Sequence, residues 1–274
     1  MPRKTTRRFN GLLLQEPLSS EAKYWLGFLF ADGCLSYQKN RPLIAISLGK
    51  VDSEHLANFA NFCGVNSLKF DYSGHLGRSI GSQVHFSISN EQAERFNSYG
   101  IVPRKSMKEV PPPIFESDFD WWRGVIDGDG TILLKKDTPA IGLCGSIFTV
   151  TCFANLVEKI TSHRPKVVSS RNSNLYVARE CGLAPAKQLL GKIYYPGCSP
   201  ALPRKMEVAS RIISLVHVKP PINQGEKNAS ASLTNEQVRT IRTDSRPNGI
   251  IAREYNTSWE VIFNVKKRRS YASV

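Results

Sequence analysis

Apolar and polar positions change period several times along the chain, dividing it into two similar halves and a tail. "SSEAKYWLGFLFADG" (19–33) has helical spacing, with Ser20 as predicted N-cap. "CLSYQKNRPLIAISLG" predicts a hairpin with a basic tip at Lys39 and Arg41. "DSEHLANFANFCG" predicts an amphipathic helix with Leu56, Phe59, Ala60 and Cys63 on one face and Gly64 as its stop. "SLKFDYSG" and "SQVHFSIS" read as strands; in the second, Val84, Phe86 and Ile88 alternate with His85, Ser87 and Ser89. "NEQAERFNSYG" is a short helix, and "IVPRKSMKEVPPP" closes the half with a proline-rich linker.

The second half repeats this order. "DFDWWRGVIDGDG" predicts a helix, "TILLKKDTPAIGLCG" a hairpin with Lys135 and Lys136 near its tip, and "SIFTVTCFANLVEKITSH" a helix. "KVVSSRNSNLYVAR" is a hairpin turning at 171–174, followed by the helix "LAPAKQLLGKIYY" and the closing "SPALPRKMEVASRIISLV". The closing segments of the two halves share Pro-Arg-Lys. An αββαββα unit therefore occurs twice, about 100 residues apart, as in a duplicated domain rather than a solenoid. The predicted organisation is an arm at 1–18, repeats at 19–113 and 114–218, a linker at 219–232 and a small all-α domain at 233–274. In that last domain Thr234 and Gln237 form a capping box, "NGIIAREY" a second helix, and Ser258 caps a third. The fold class is α+β with an α-helical appendage.

A formal net charge of +14 over 274 residues points to a polyanionic partner. No apolar run approaches the ~20 residues of a membrane span, and "GLLL" is too short for a signal-peptide core. The 6 cysteines are scattered without a C-x-x-C pair, so neither a zinc site nor a disulfide framework is indicated. These features predict an intracellular protein, cytoplasmic and nucleoid-associated or organellar.

Chemistry concentrates in "YWLGFLFADGCL" (24–35) and "WWRGVIDGDGTI" (121–132). Gly124 and Gly128 each cost about 1 kcal/mol against Ala in a helix, and Asp129 at the negative helix end costs roughly 0.3–1 kcal/mol more. Small residues at i and i+4 (Gly27/Ala31 and Gly124/Gly128) let two helix backbones approach closely. Packed side by side, such helices bring Asp32 and Asp129 together, an arrangement that repels unless a hard, oxygen-loving cation sits between them. That suits metal-assisted phosphodiester hydrolysis. A calcium loop is excluded, because counting from Asp127 the positions for Gly and Glu hold Ile132 and Thr138.

"WLGFLFADG" and "WRGVIDGDG" resemble the paired motif helices of the LAGLIDADG homing endonucleases in their single-chain, two-repeat form, over residues 20–215. The resemblance implies two pseudo-symmetric αββαββα domains forming a DNA-binding saddle. It implies Mg²⁺, with Mn²⁺ as substitute, bound by Asp32 and Asp129 beside the carbonyls of Ala31 and Gly128. It further implies that Lys105 and Lys205 support the reaction or clamp phosphate. The partner is double-stranded DNA, and the chain is expected to act as a monomer on a long target. Phe30, which matches the acidic Asp127 of the second motif, implies unequal halves and a non-palindromic site. Candidate DNA contacts are Lys39, Arg41, Lys50, Lys69, Arg78, Lys135, Lys136, Lys166 and Arg171. The tail resembles a helix-turn-helix module, with Trp259, Glu260, Phe263 and Asn264 facing bases and Lys266 and Arg268, within "KKRR", facing phosphate. The alternatives are a non-cleaving transcription regulator and an RNA maturase; retention of both motif acids disfavours the regulator.

Overall fold

In the computed structural model the described residues are 8–74, 77–135, 138–170, 174–215, 225–228, 231–271 and 274. The side chains of 69–74, 77–80 and 227 lie outside that description. The first half runs α1 (Ser20–Asp32), β1 (Cys34–Gln38), β2 (Arg41–Gly49), α2 (Ser53–Phe62), β3 (Ser67–Gly74), β4 (Gly77–Ser87) and α3 (Asn90–Ser98). The second runs α4 (Phe119–Asp129), β5 (Gly130–Lys135), β6 (Thr138–Gly145), α5 (Ile147–Thr161), β7 (Val167–Ser169), β8 (Tyr176–Cys181) and α6 (Leu183–Ile193). It adds α7 (Pro203–Ser214), whose place in the first half is taken by the turns at 101–108. The tail holds α8 (Asn235–Thr243), α9 (Asn248–Glu254) and α10 (Trp259–Lys266).

Each half builds one antiparallel four-stranded sheet, ordered β1-β2-β4-β3 and β5-β6-β8-β7. Strand alternation puts Leu35, Ile44, Ile46, Val84 and Phe86 on the helix-covered face of the first sheet. Ile132, Ile141, Leu143 and Ala178 do the same in the second. Both faces join one apolar core around α1 and α4. Leu13 and Leu14 of the N-terminal arm are buried in that core, and Phe9 stacks on Phe86 at 4.7 Å. The chain divides into two compact units, Met1–Leu215 and Val216–Val274. The second has its own core of Leu233, Val238, Ile241, Ile251, Ala252, Ile262 and Val265.

Local capping sets the helix starts. The N-cap of α1 is Ser19 rather than the expected Ser20: its Oγ accepts from the Ala22 amide at 3.1 Å, which makes Ser20 the first helical residue. Asp118 caps α4 by accepting from the amides of Asp120 and Trp121. Thr234 with Gln237 closes the capping box on α8, and Ser258 caps α10. Among the described residues no helix is long and apolar enough to cross a membrane.

Candidate active site

The two motif helices touch through their backbones. A Cβ on Gly27 would stand 2.0 Å from the Trp121 carbonyl oxygen, and one on Gly124 would stand 2.0 Å from that of Tyr24. Real Cβ atoms do not approach backbone so closely, so glycine is required at both crossings. The contact continues to the helix ends, where a Cβ on Gly128 would meet Ala31 Cβ at 2.4 Å and Asp32 Oδ2 at 3.2 Å. The small residues therefore bring the C-termini of α1 and α4 together, each ending in its aspartate.

Both carboxylates are held above their ordinary range. Burial in the surrounding protein raises Asp129 most, Asp32 raises it further, and it reaches about 6. Asp32 shifts the same way, again chiefly by desolvation, with Lys105 and Lys205 opposing. Asp32 retains solvent exposure while Asp129 is half buried, so the pair is partly accessible from outside.

The two lysines anticipated beside these acids cap the helices that carry them. Lys105 donates to the carbonyls of Phe30 and, at 2.5 Å, Ala31. Lys205, almost fully buried, lies 2.7 Å from Ile126 O, 2.7 Å from Asp127 O, 3.3 Å from Gly128 O and 2.6 Å from Gly130 O. An ammonium at a helix C-terminus offsets the negative end of the macrodipole, the same end that disfavours the aspartates. Desolvation lowers both lysines, Lys205 to about 8. In this geometry the protons of Lys205 are committed to backbone, and both lysines place positive charge beside Asp32 and Asp129.

Asp127 is enclosed in the core. Its carboxylate accepts from Tyr24 OH (2.8 Å), Tyr194 OH (2.6 Å) and the Leu202 amide (2.7 Å). Because Tyr24 donates its proton to Asp127, the Nε2 of His55, 2.7 Å away, must donate to the Tyr24 oxygen. Burial lowers His55 to about 4, so it is neutral at pH 7. The chain His55–Tyr24–Asp127–Tyr194 thus ties the halves together. Its counterpart in the first motif, Phe30, packs apolarly on Trp121 at 4.9 Å.

Three further charged residues near the site escaped the sequence reading. Arg204 of α7 grips Asp52 in the opposite half with both carboxylate oxygens at 3.1–3.3 Å. Glu109 accepts from the Ser146 amide at 2.8 Å, and its charge reaches Asp129 and Lys105. Arg204 follows the Pro of a shared Pro-Arg-Lys, which was a usable signal; Glu109 and Asp52 had none.

The anticipated DNA-contact residues are dispersed. Lys39 and Arg41 are exposed at the β1–β2 turn, where Lys39 and Asn40 have φ of 48° and 61° and form a two-residue loop. Lys50, Lys135 and Lys166 are exposed at strand ends. Lys69 and Arg78 lie in β3 and β4 with side chains outside the description, and Lys136 and Arg171 lie outside the described residues. In the tail Trp259 is exposed and stacks on Phe263 at 5.1 Å, while Glu260 and Arg268 are exposed. Asn264 is half buried, and Lys266 donates to Arg246 O at 3.1 Å.

No protein-family model matches the chain, and no curated protein matches it. Solved structures do. The homing endonuclease I-WcaI bound to its DNA recognition sequence aligns at a TM-score of 0.49 with 11% identity over 68% of this chain and 85% of its own. Mesophilic variants of the homing endonuclease I-DmoI give 0.48, 13%, 70% and 97%. Full-length DUF199/WhiA from Thermatoga maritima gives 0.44, 16%, 94% and 93%.

The donor set suits a hard divalent cation: two converging carboxylates, one held up to about 6 partly by the other, beside the carbonyls of Ala31 and Gly128. Each carbonyl also has a lysine on it, at 2.5 and 3.3 Å, and an oxygen has two lone pairs. No three His, Cys, Asp or Glu side chains among the described residues gather as a cluster of their own. Further ligands would have to be backbone, water or a phosphate of the substrate.

Proposed function

We propose that this chain is a site-specific endonuclease for double-stranded DNA, with one aspartate from each half at the centre. The observation that carries it is the meeting of Asp32 and Asp129 at the ends of two helices in backbone contact. Asp32, Asp129 and the carbonyls of Ala31 and Gly128 would hold Mg²⁺ or Mn²⁺. Such an ion, when bound, activates water and stabilises charge on a phosphodiester. Lys105 and Lys205 fix the carbonyls and supply positive charge beside the acids. The unequal halves suit a non-palindromic target, and the net charge of +14 suits a long DNA contact. The tail, as a helix-turn-helix with α10 in the major groove, would add a flanking contact. The chain is taken to act intracellularly as a monomer.

The test is Asp32→Asn and Asp129→Asn, assayed on the insertion-site DNA of the encoding genome with and without Mg²⁺. Each keeps the side-chain shape and removes a charged ligand. Cleavage is expected to vanish while specific binding persists, because binding rests on phosphate and base contacts. Full cleavage by either variant overturns the assigned centre. A wild-type chain that binds its site and never cuts it supports the regulator reading instead.

A further inference from the structure

Among the residues whose side chains are described, the sheet faces turned away from the helices are largely exposed, and the two are not alike. Two residues beyond each motif aspartate a row of paired residues crosses each sheet. In the first it is Cys34, Ala45 and His85; in the second, Thr131, Gly142 and Arg179. The spacing that relates Asp32 to Asp129 also relates Cys34 to Thr131 and Ala45 to Gly142, so the rows are pseudo-symmetric equivalents. They are the first outward rows that include β1 and β5, and their third members are His85 in one half and Arg179 in the other; one row closer to the acids lie Ser47 with Gln83 and Cys144 with Val177, Cys144 Sγ standing 3.4 Å from Asp129 O. Both end residues of the second row, Thr131 and Arg179, are exposed, as is His85.

Arg179 has a prepared bed. The point where a Cβ of Gly142 would stand is 3.7 Å from Arg179 Nε and 3.9 Å from its Cβ. The arginine therefore lies close over the glycine, and Gly142 is buried although it belongs to the outer face. Neighbouring charges on this half are already paired: Glu180 with His163 at 2.7 Å, and Glu158 with Arg164 at 2.8 Å. Among the described residues no carboxylate pairs with Arg179. Val168 and Val177, paired across β7 and β8, and Pro165 line the same depression as Arg179, together with His163, Arg164 and Lys166. A guanidinium with no carboxylate partner among the described residues, lying over Gly142 on the outward sheet face, presents a planar two-donor fork that can pair with a base edge. The same fork also fits a phosphate, and the salt slope separates the two.

We propose that Arg179 selects a guanine in the half-site held by the second half, close to the cleavage centre, and that His85 fills the equivalent post without that preference. The inference rests on the endonuclease reading. The guanidinium fork offers two donors to guanine O6 and N7, whereas an imidazole offers one at most in its neutral form. Recognition beside the centre would thus be asymmetric, independent of the Phe30/Asp127 difference inside the helices.

The full chain would be used, without divalent metal, to select bound sequences from a pool of randomised duplex DNA. Wild type is expected to enrich a guanine at one position close to the centre of the consensus, on one side only. Arg179→Gln should lower preference for that guanine by ~10- to 100-fold and shift it toward adenine, leaving all other positions as they are. Arg179→Lys, which keeps the charge and loses the fork, should blur the same position with affinity largely retained. The side chain is exposed, so melting temperature should not move in either variant. An unchanged consensus overturns the proposal. So does a uniform loss across all sequences with a salt slope shallower by about one, the behaviour of a phosphate contact. If wild type enriches no sequence at all, the endonuclease reading fails first, and that outcome is distinguishable from loss of the Arg179 assignment alone.

Discussion

Asp129 is costly as placed: it ends a helix, is half buried, and faces a second carboxylate. Its carboxyl ionises at about 6 in the fold against 3.8 ordinarily. Between those values the folded protein binds the extra proton, so stability falls as pH rises from about 4 to about 6 and is penalised in full above. In metal-free protein Asp129→Asn should therefore raise the melting temperature at pH 7.5, with the gain disappearing by about pH 4. Thermal melts across that range check it; a gain independent of pH would contradict the placement. Lys205 belongs to the same scale. Its place on four carbonyls means that Lys205→Met should loosen the end of α4 as well as alter charge, so its loss is expected to lower stability together with activity.

At the scale of elements, the α1–α4 contact decides whether the halves can meet at all. Gly27→Ala puts a methyl 2.0 Å from a backbone oxygen, which only separation of the helices relieves. Severe destabilisation is expected, more than the few kcal/mol usual for core substitutions. Gly191, inside α6, meets nothing within 4 Å. Gly191→Ala should stabilise by about 0.4–1 kcal/mol through helix propensity and lower unfolded-state entropy. Denaturant unfolding of the pair is the measurement; similar effects of opposite-placed glycines would contradict the crossing. The same contact explains why the chain keeps Gly27 in α1 and Gly124 and Gly128 in α4: close backbone packing offsets their poor helix propensity and brings the two aspartates together.

At the scale of the molecule, the unit ending at Leu215 and the unit beginning at Val216 have separate apolar cores. Removing 219–274 should leave the first unit folded and its cleaved phosphodiester unchanged. As a tethered second contact, the tail should lengthen the footprint on one side, and its loss should weaken specific binding by ~10²-fold. Footprinting of both forms on one target reads the two effects; an identical footprint would remove the tail from DNA recognition. Binding should also fall steeply with salt, with a log–log slope near −0.9 per phosphate and on the order of ten phosphates contacted. A flat dependence would detach the basic surface from DNA.

Periodicity and turn chemistry alone determined the order of α1–α6 and β1–β8, the β1–β2 and β5–β6 hairpins and the Thr234 capping box, because these depend on neighbours within a few residues; the likeness of Gly27/Ala31 to Gly124/Gly128 showed as a repeat. They also marked Asp32 and Asp129, since a repeated motif with a structural penalty is visible in one dimension. Only tertiary structure decided what depends on distant partners. Asp127 reads as a second acid of the motif, yet hydroxyls from Tyr24 and Tyr194 enclose it. Lys105 and Lys205 are expected from sequence to support the reaction or clamp phosphate, yet helix carbonyls hold them, since a helix end in three dimensions offers acceptors that its sequence does not display. Arg179 and His85 became equivalent only through strand register, because facing residues across a sheet are fixed by pairing between segments far apart in the chain.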